Sequence, residues 1–500
     1  MTETNDDDII SSDDDIASSA GEAGRLLTVG KSSVDEVVDA DPRLIRLVFA
    51  YAGFGAFWLL FGTLVGTIVA LKFVWPDLAA VSWLSFGRLR PIHTNTVFWG
   101  WSSLGMLALA HYVIPRTSRT ELYSYQLGWW ALGLFNLAVV AGTVQLAAGV
   151  NNGSQEYREF LWPVMSIFAT GLILCAVNFY KTIADRNTDA IYISNWYILG
   201  AVLWTITLVT TAYLPGYQDG LGQTIIQGYY MHQGVGMWFT PLVLGLTYYS
   251  LPKLLNKPIY SYALGVLAFW TQLLFYTMIG SHHFIFSPIP WWIQTVAIIF
   301  SVGMIVPVVA GSANFALTMR GSRGTIKRSY ALPFIVVGVA YYFLGSMQGS
   351  VEALRSANLY WHFTNFTIGH SHITMYGFVG FLIWGGVYAL MPRMSGREPP
   401  HMLVGAHFWL AFAGLFLYAV SMSVGGTEQG ISWMSDSPFI ESVELMAPYW
   451  VWRAVGGTMM LLSHVAFAYN VYAMWPREED LRPEPETETE AAPAEEGDDV

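Results

Sequence analysis

The stretch WHFTNFTIGHSHITMYGF, Trp361 to Phe378, opens a long apolar run and carries His370 and His372 two residues apart. On an α-helix a step of two residues turns roughly 200°, so the two rings leave the helix on nearly opposite sides. One helix can therefore hold two separate prosthetic groups, one against each face. A lone histidine in an apolar helix is often a hydrogen-bonded core residue. That bland reading fails here on number, because five more histidines sit in comparable places.

Composition sets the frame for these histidines. The chain has 500 residues, 54% of them hydrophobic and only 12% charged, and its mean hydropathy is +0.42. Those values belong to a membrane protein. Residues 1–46 and 476–500 hold 12 and 11 of the 36 acidic residues, so the two ends sum to −17 and the body 47–475 to +5. Such acidic ends cannot bury a core, and they are expected to be solvated, disordered tails. Their repulsion is tolerated when salt screens it, which points to a halophilic prokaryote. The single cysteine, Cys175, excludes a disulfide framework, a CxxCH haem attachment and a two-cysteine copper centre within this chain. No cleavable leader is expected, since the first apolar run starts near residue 48.

Twelve apolar runs are each long enough to cross ~30 Å of hydrocarbon. They lie at about 48–72, 92–115, 125–149, 159–181, 192–213, 222–250, 259–284, 291–317, 330–348, 362–391, 404–424 and 447–475. The expected fold is an all-α, twelve-helix bundle in the cell membrane. Connections after the even-numbered runs carry 12 Lys/Arg residues and those after the odd-numbered runs carry 5, which places both termini in the cytoplasm. No internal repeat of soluble type is visible.

In that orientation the six histidines fall in the outer half of the bilayer, on helices 2, 6, 7 and 10. His93 and His372 can clamp one haem iron from both sides, giving a six-coordinate electron carrier. His370 is then free to hold a second iron from one side only, with a reaction site opposite. His232, His282 and His283 are available to a third metal there. Adjacent histidines diverge by about 100° on a regular helix, so the pair needs a loosened turn, which Gly280-Ser281 permits. Three neutral imidazoles with a vacant position suit copper, and can also suit iron or zinc.

The stretches GRLRPIHTNT (87–96), GSQEYREFLWP (153–163), YYMHQGVG (229–236), FYTMIGSHH (275–283) and TIGHSH (367–372) together resemble the catalytic subunit of the haem–copper oxygen reductases, and most closely the C-family, the cbb-type cytochrome c oxidases. The likeness spans roughly 45–475. It implies that His93 and His372 ligate a low-spin haem b, His370 a high-spin haem b, and His232, His282 and His283 the copper called CuB. Tyr276 matches the family tyrosine joined covalently to the helix 6 copper ligand, here His232. Other oxidase classes place that tyrosine four residues after the ligand, at a position that is Gly236 here. Nitric oxide reductases, the nearest relatives, lack the tyrosine and use a non-haem iron with added glutamates, one of them at this same position.

Further roles follow from the same resemblance. Arg88, Arg90, Arg453 and His362 look like groups near haem propionates. Glu156 and Glu159 resemble acids that hold a calcium. Thr240 and Tyr248 match the class's proton path. One departure concerns Gln348, in MQGS, where the family commonly reads Glu; neighbouring Glu352 can compensate. The expected function is a redox-driven proton pump that reduces O₂ to water. It would take electrons on the outer side from a partner such as a cytochrome c or a copper protein, and bind no nucleic acid. The alternatives are nitric oxide reduction by a relative of the same superfamily, or a haem-free membrane transporter with a histidine-lined path.

Overall fold

A computed structural model describes residues 40–153, 155–214 and 219–481. Most of both acidic tails lies outside the described residues. The described ones are helical, with no strand among them. Among the described residues ten helices are long and apolar enough to cross a membrane. In chain order these and two further segments are α1 (Pro42–Val74), α2 (Phe86–Ser118), α3 (Tyr125–Ala147), α4 (Trp162–Ala184), α5 (Ile193–Tyr213), α6 (220–255), α7 (Tyr262–Tyr276), α8 (Trp291–Met319), α9 (Leu332–Glu352), α10 (Asn365–Ser395), α11 (His401–Trp433) and α12 (Phe439–Ala473). The two that fall outside the count of ten are α6 and the short α7.

Several boundaries differ from the hydropathy reading. Helix α1 starts at Pro42 rather than near 48, because Asp41 caps it by accepting from the Arg43 N–H and Pro42 fits the first turn. Residues 476–481 are also held to the body rather than loose, with Glu478 paired to Arg46 at 2.8 Å and Asp480 to Arg397 at 3.7 Å. The body therefore begins about five residues before 47 and runs beyond 475. Helix α7 stops at Tyr276, and His282 and His283 ride on a separate 3₁₀ turn, Gly280–Phe284.

Burial sorts the helices. The apolar windows of α2 and α10 are 94% and 83% buried, whereas the other eight are 39–56% buried and so face outward along half their surface. The second half of α6, from Thr240 to Leu251, is buried throughout. The three central helices thus carry His93, His232, His370 and His372. Each also widens into a π-helical turn within three residues of its histidine, at Thr96–Ser102, Gly234–Phe239 and Ile373–Gly380. A π-turn absorbs one extra residue, so the face presented by the histidine is set independently of the face packed further along. Hydroxyls occupy carbonyls that this widening loosens: Ser102 donates to Val97 O, Ser103 to Phe98 O and Thr240 to Val235 O.

One local device occurs twice and escaped the search for repeats. Before α3, the Ser124 backbone N–H and C=O are both held by the Asn178 side chain at 2.9 and 3.0 Å, and the Tyr123 N–H by Thr182. Before α7, Ser261 is held in the same way by Asn314, and Tyr260 by Thr318. The shared words are Tyr-Ser-Tyr and Asn-x-x-x-Thr, too short to register as a repeat. Asn178 is fully buried. Asn178→Ala strands two backbone groups at about 1–3 kcal/mol each, so the melting temperature of the purified protein should fall by several degrees. An unchanged melting temperature would show that the clamp holds nothing.

Candidate metal centres

Two clefts flank α10. The first is lined by His93 and His372 with Arg90, Arg453, Thr63, Tyr376 and Trp384. The second is lined by His370, His232, His282 and His283 with Tyr276, Thr240, Glu352 and His362. The two-residue step from His370 to His372 therefore sends the rings into different clefts.

In the first cleft the His93 and His372 rings face one another, 6.5 Å between centroids and 15° from parallel. That spacing leaves room for one metal at ~2 Å from a nitrogen of each. His93 Nδ1 lies 2.7 Å from the Gly62 carbonyl and His372 Nδ1 2.8 Å from the Ile368 carbonyl. A carbonyl only accepts, so each Nδ1 carries the proton and each Nε2 is left as a bare lone pair. Gly66 makes the approach possible, because a Cβ there would sit 2.5 Å from the His93 ring. Arg453 is buried and has no acidic partner among the described residues, and its Nε has no hydrogen bond. A buried guanidinium in that state requires an anion, as a haem carboxylate would supply.

In the second cleft the ligand nitrogens of His232, His282 and His283 lie within 4.8 Å of one another, the one such His/Cys/Asp/Glu group among the described residues. The 3₁₀ turn makes this possible by bringing adjacent rings to 4.4 Å. His282 Nδ1 is 2.7 Å from Ser301 Oγ, whose own proton goes to the Ala297 carbonyl. Ser301 therefore accepts, and His282 Nε2 is free. His370 Nδ1 is 3.1 Å from Gln348 Oε1, which frees its Nε2 in the same way. His232 is reversed. Its Nδ1 faces His283 Nε2 at 2.8 Å, on the side where the three rings converge. That leaves the other side of the His232 ring to Tyr276, whose ring centroid is 5.3 Å away.

The Tyr276 ring lies flat on Gly236. A Cβ at 236 would fall 1.7 Å from Tyr276 Cε1, so no side chain at this position is compatible with the tyrosine where it stands. Seven residues apart, Tyr276 and His283 would share one face of an uninterrupted helix. The helix ends before that holds, and the tyrosine is positioned by Gly236 instead.

The remaining residues divide. Thr240 lines the second cleft; Tyr248 is buried further along α6, with Asn314 Nδ2 at 3.4 Å from its hydroxyl. His362 lines the second cleft and stacks on Phe363 at 3.8 Å. Arg88 lines neither cleft: its guanidinium donates to the Ala147 carbonyl at the end of α3, where orphan carbonyls attract cations. Glu156 and Glu159 are both bound at 2.9 Å by the Arg90 guanidinium, and Glu159 also accepts from Asn95. Burial pushes the Glu159 carboxyl up to about 7 against the pull of Arg90. Sequence reasoning missed Tyr157, which lines both clefts, stacks on Phe98 at 4.5 Å and holds φ at 63°. Such left-handed non-glycine backbone concentrates at functional sites. It also missed Ser301, for which one hydroxyl among many gives no signal.

Comparison with known proteins agrees with this geometry. Residues 46–459 match the family described as Cytochrome C and Quinol oxidase polypeptide I. The chain belongs to that family. It is 33% identical over 435 residues to a "Cytochrome c oxidase subunit 1 homolog" of Agrobacterium tumefaciens, covering 83% of this chain and 80% of that one. It is 31% identical to the "Cbb3-type cytochrome c oxidase subunit CcoN1" of Stutzerimonas stutzeri, covering 85% and 94%. A solved haem–copper terminal oxidase dimer shares the fold, with a TM-score of 0.72 at 16% identity over 88% of this chain and 84% of that one. Membership makes the chain a membrane oxidoreductase of the cytochrome c oxidase type, and its relatives place it in the cbb-type branch.

The two clefts fit the haem and copper that the family implies. Replacing His93 or His372 by alanine should abolish the low-spin haem signal in the optical spectrum, while replacing His370 should spare it. Loss of the low-spin signal on replacing His370 would mean that the two clefts are assigned the wrong way round.

Proposed function

We propose that this chain is the catalytic subunit of a terminal respiratory oxidase, reducing O₂ to water in the second cleft and coupling the reaction to proton translocation. His93 and His372 hold a low-spin haem b, His370 a high-spin haem b, and His232, His282 and His283 a copper. When bound, these groups supply electron storage and an oxygen-binding pair of metals. Arg90 and Arg453 face the haem carboxylates. Electrons enter from a partner on the outer side, cytochrome c or a copper protein, and both termini lie in the cytoplasm of the cell membrane.

The observation that carries this reading is the Tyr276 ring seated on Gly236 beside His232. Splitting O₂ takes four electrons, and a phenol within the cleft can give one of them together with a proton. Tyr276 fills that role. Its ring is joined to His232 Nε2, since Nδ1 is turned to the metal side. Forming that C–N bond breaks one C–H and one N–H bond, and the two electrons and two protons pass to oxygen. Protons reach the phenol along α6 past Tyr248 and Thr240. A glutamate at 236, as in nitric oxide reductases, would occupy the space that the tyrosine ring fills. Gln348 accepts from His370 as a neutral amide, and Glu352, which lines the same cleft, is the acid left to hold a proton.

Tyr276→Phe tests this. It keeps the ring and removes only the hydroxyl, so haem insertion survives. Oxygen turnover should collapse to a few per cent of the parent rate or less. Full turnover in the variant would overturn the proposal.

A further inference from the structure

Where α6 and α7 meet beside Tyr276, two backbone carbonyls have lost their helical donors. In the π-turn of α6 the Thr240 N–H goes to the Val235 carbonyl. The next donor along, which would serve Gly236, belongs to residue 241. That residue is proline and has no N–H. The Gly236 carbonyl is therefore orphaned by the sequence itself. On the other side α7 ends at Tyr276, so the Tyr276 carbonyl sits where helical donors run out. Both carbonyls are in the protein interior, where an unmet acceptor is costly.

Each is satisfied by a glutamine from the opposite helix. Gln272 of α7 donates to the Gly236 carbonyl at 2.9 Å, and Gln233 of α6 donates to the Tyr276 carbonyl. The two side chains are 1% and 0% exposed, and the oxygen of each amide has no partner. An amide buried with half its capacity unused is costly unless its other half matters. A third contact closes the same joint further out, where Gly228 and Gly280 meet backbone to backbone.

We propose that Gln233 and Gln272 are positioning residues: a reciprocal pair of straps that fixes the register of α6 against α7 so that the Tyr276 ring meets His232. Neither touches the metal ligands' free nitrogens. Their bonds run to the backbone of the two residues, Gly236 and Tyr276, whose contact places the phenol. The inference rests on the proposed role of Tyr276.

The test is mass spectrometry of peptides from the complete enzyme purified from membranes, comparing the parent with Gln272→Met and Gln233→Met. In the parent, the peptides containing His232 and Tyr276 should be recovered joined and two hydrogens lighter. Each methionine variant should keep both haems and copper while the ratio of joined to separate peptide falls about tenfold, the scale of one buried hydrogen bond. Oxygen turnover should fall with it. Adding Pro241→Ala to Gln272→Met restores a backbone N–H for the Gly236 carbonyl and should recover much of the joined fraction. Should Gln272→Met lose haem, Gln233→Met carries the same readout with the Gly236 carbonyl still satisfied. A joined fraction unchanged in both variants overturns the strap. Absence of joined peptide in the parent overturns the reading of Tyr276 itself, and the strap with it.

Discussion

A neutral imidazole has one proton and two nitrogens, and a metal can use only the nitrogen without the proton. The site depends on that constraint. At His93, His372, His370 and His282 the proton is committed to Nδ1 by an acceptor that cannot return it: two backbone carbonyls, an amide oxygen and a serine hydroxyl already donating elsewhere. Four free Nε2 atoms then face two clefts. His232 alone is turned round, and this reversal leaves its Nε2 side to Tyr276. His111 provides the contrast. Its Nδ1 is held by the Leu107 carbonyl and its Nε2 is equally bare, yet it lines neither cleft. A free nitrogen becomes a ligand only where others converge on it.

Convergence is obtained by breaking helices. The three central helices each take a π-turn beside a histidine, and α7 stops short so that a 3₁₀ turn can present His282 and His283 together. Each break strands backbone carbonyls that side chains must then satisfy. Ser102, Ser103, Thr240, Gln233 and Gln272 all bond such carbonyls. The regular outer helices, with half of each surface turned outward, enclose the distorted centre.

Much of this was legible in the sequence. Order and spacing of the six histidines, the apolar runs and the loosened turn at Gly280-Ser281 all follow from periodicity and residue chemistry. Contacts between distant residues were not. Gly236 read as the absence of a tyrosine or glutamate, whereas its role is steric: it is the floor under Tyr276. Arg88 resembled a propionate partner, whereas its guanidinium donates to the Ala147 carbonyl at the distant end of α3. No local signal shows that Arg90 reaches both Glu156 and Glu159. Helix ends shifted for the same reason, since Asp41 capping α1 lies outside any hydropathy window.

The most direct test of the central claim is the metal and haem content of the purified subunit. Pyridine haemochrome analysis together with elemental analysis should give two b-type haems and one copper per chain, with all the iron in haem. Non-haem iron in place of copper would contradict the account and turn the second cleft into a nitric oxide reductase site.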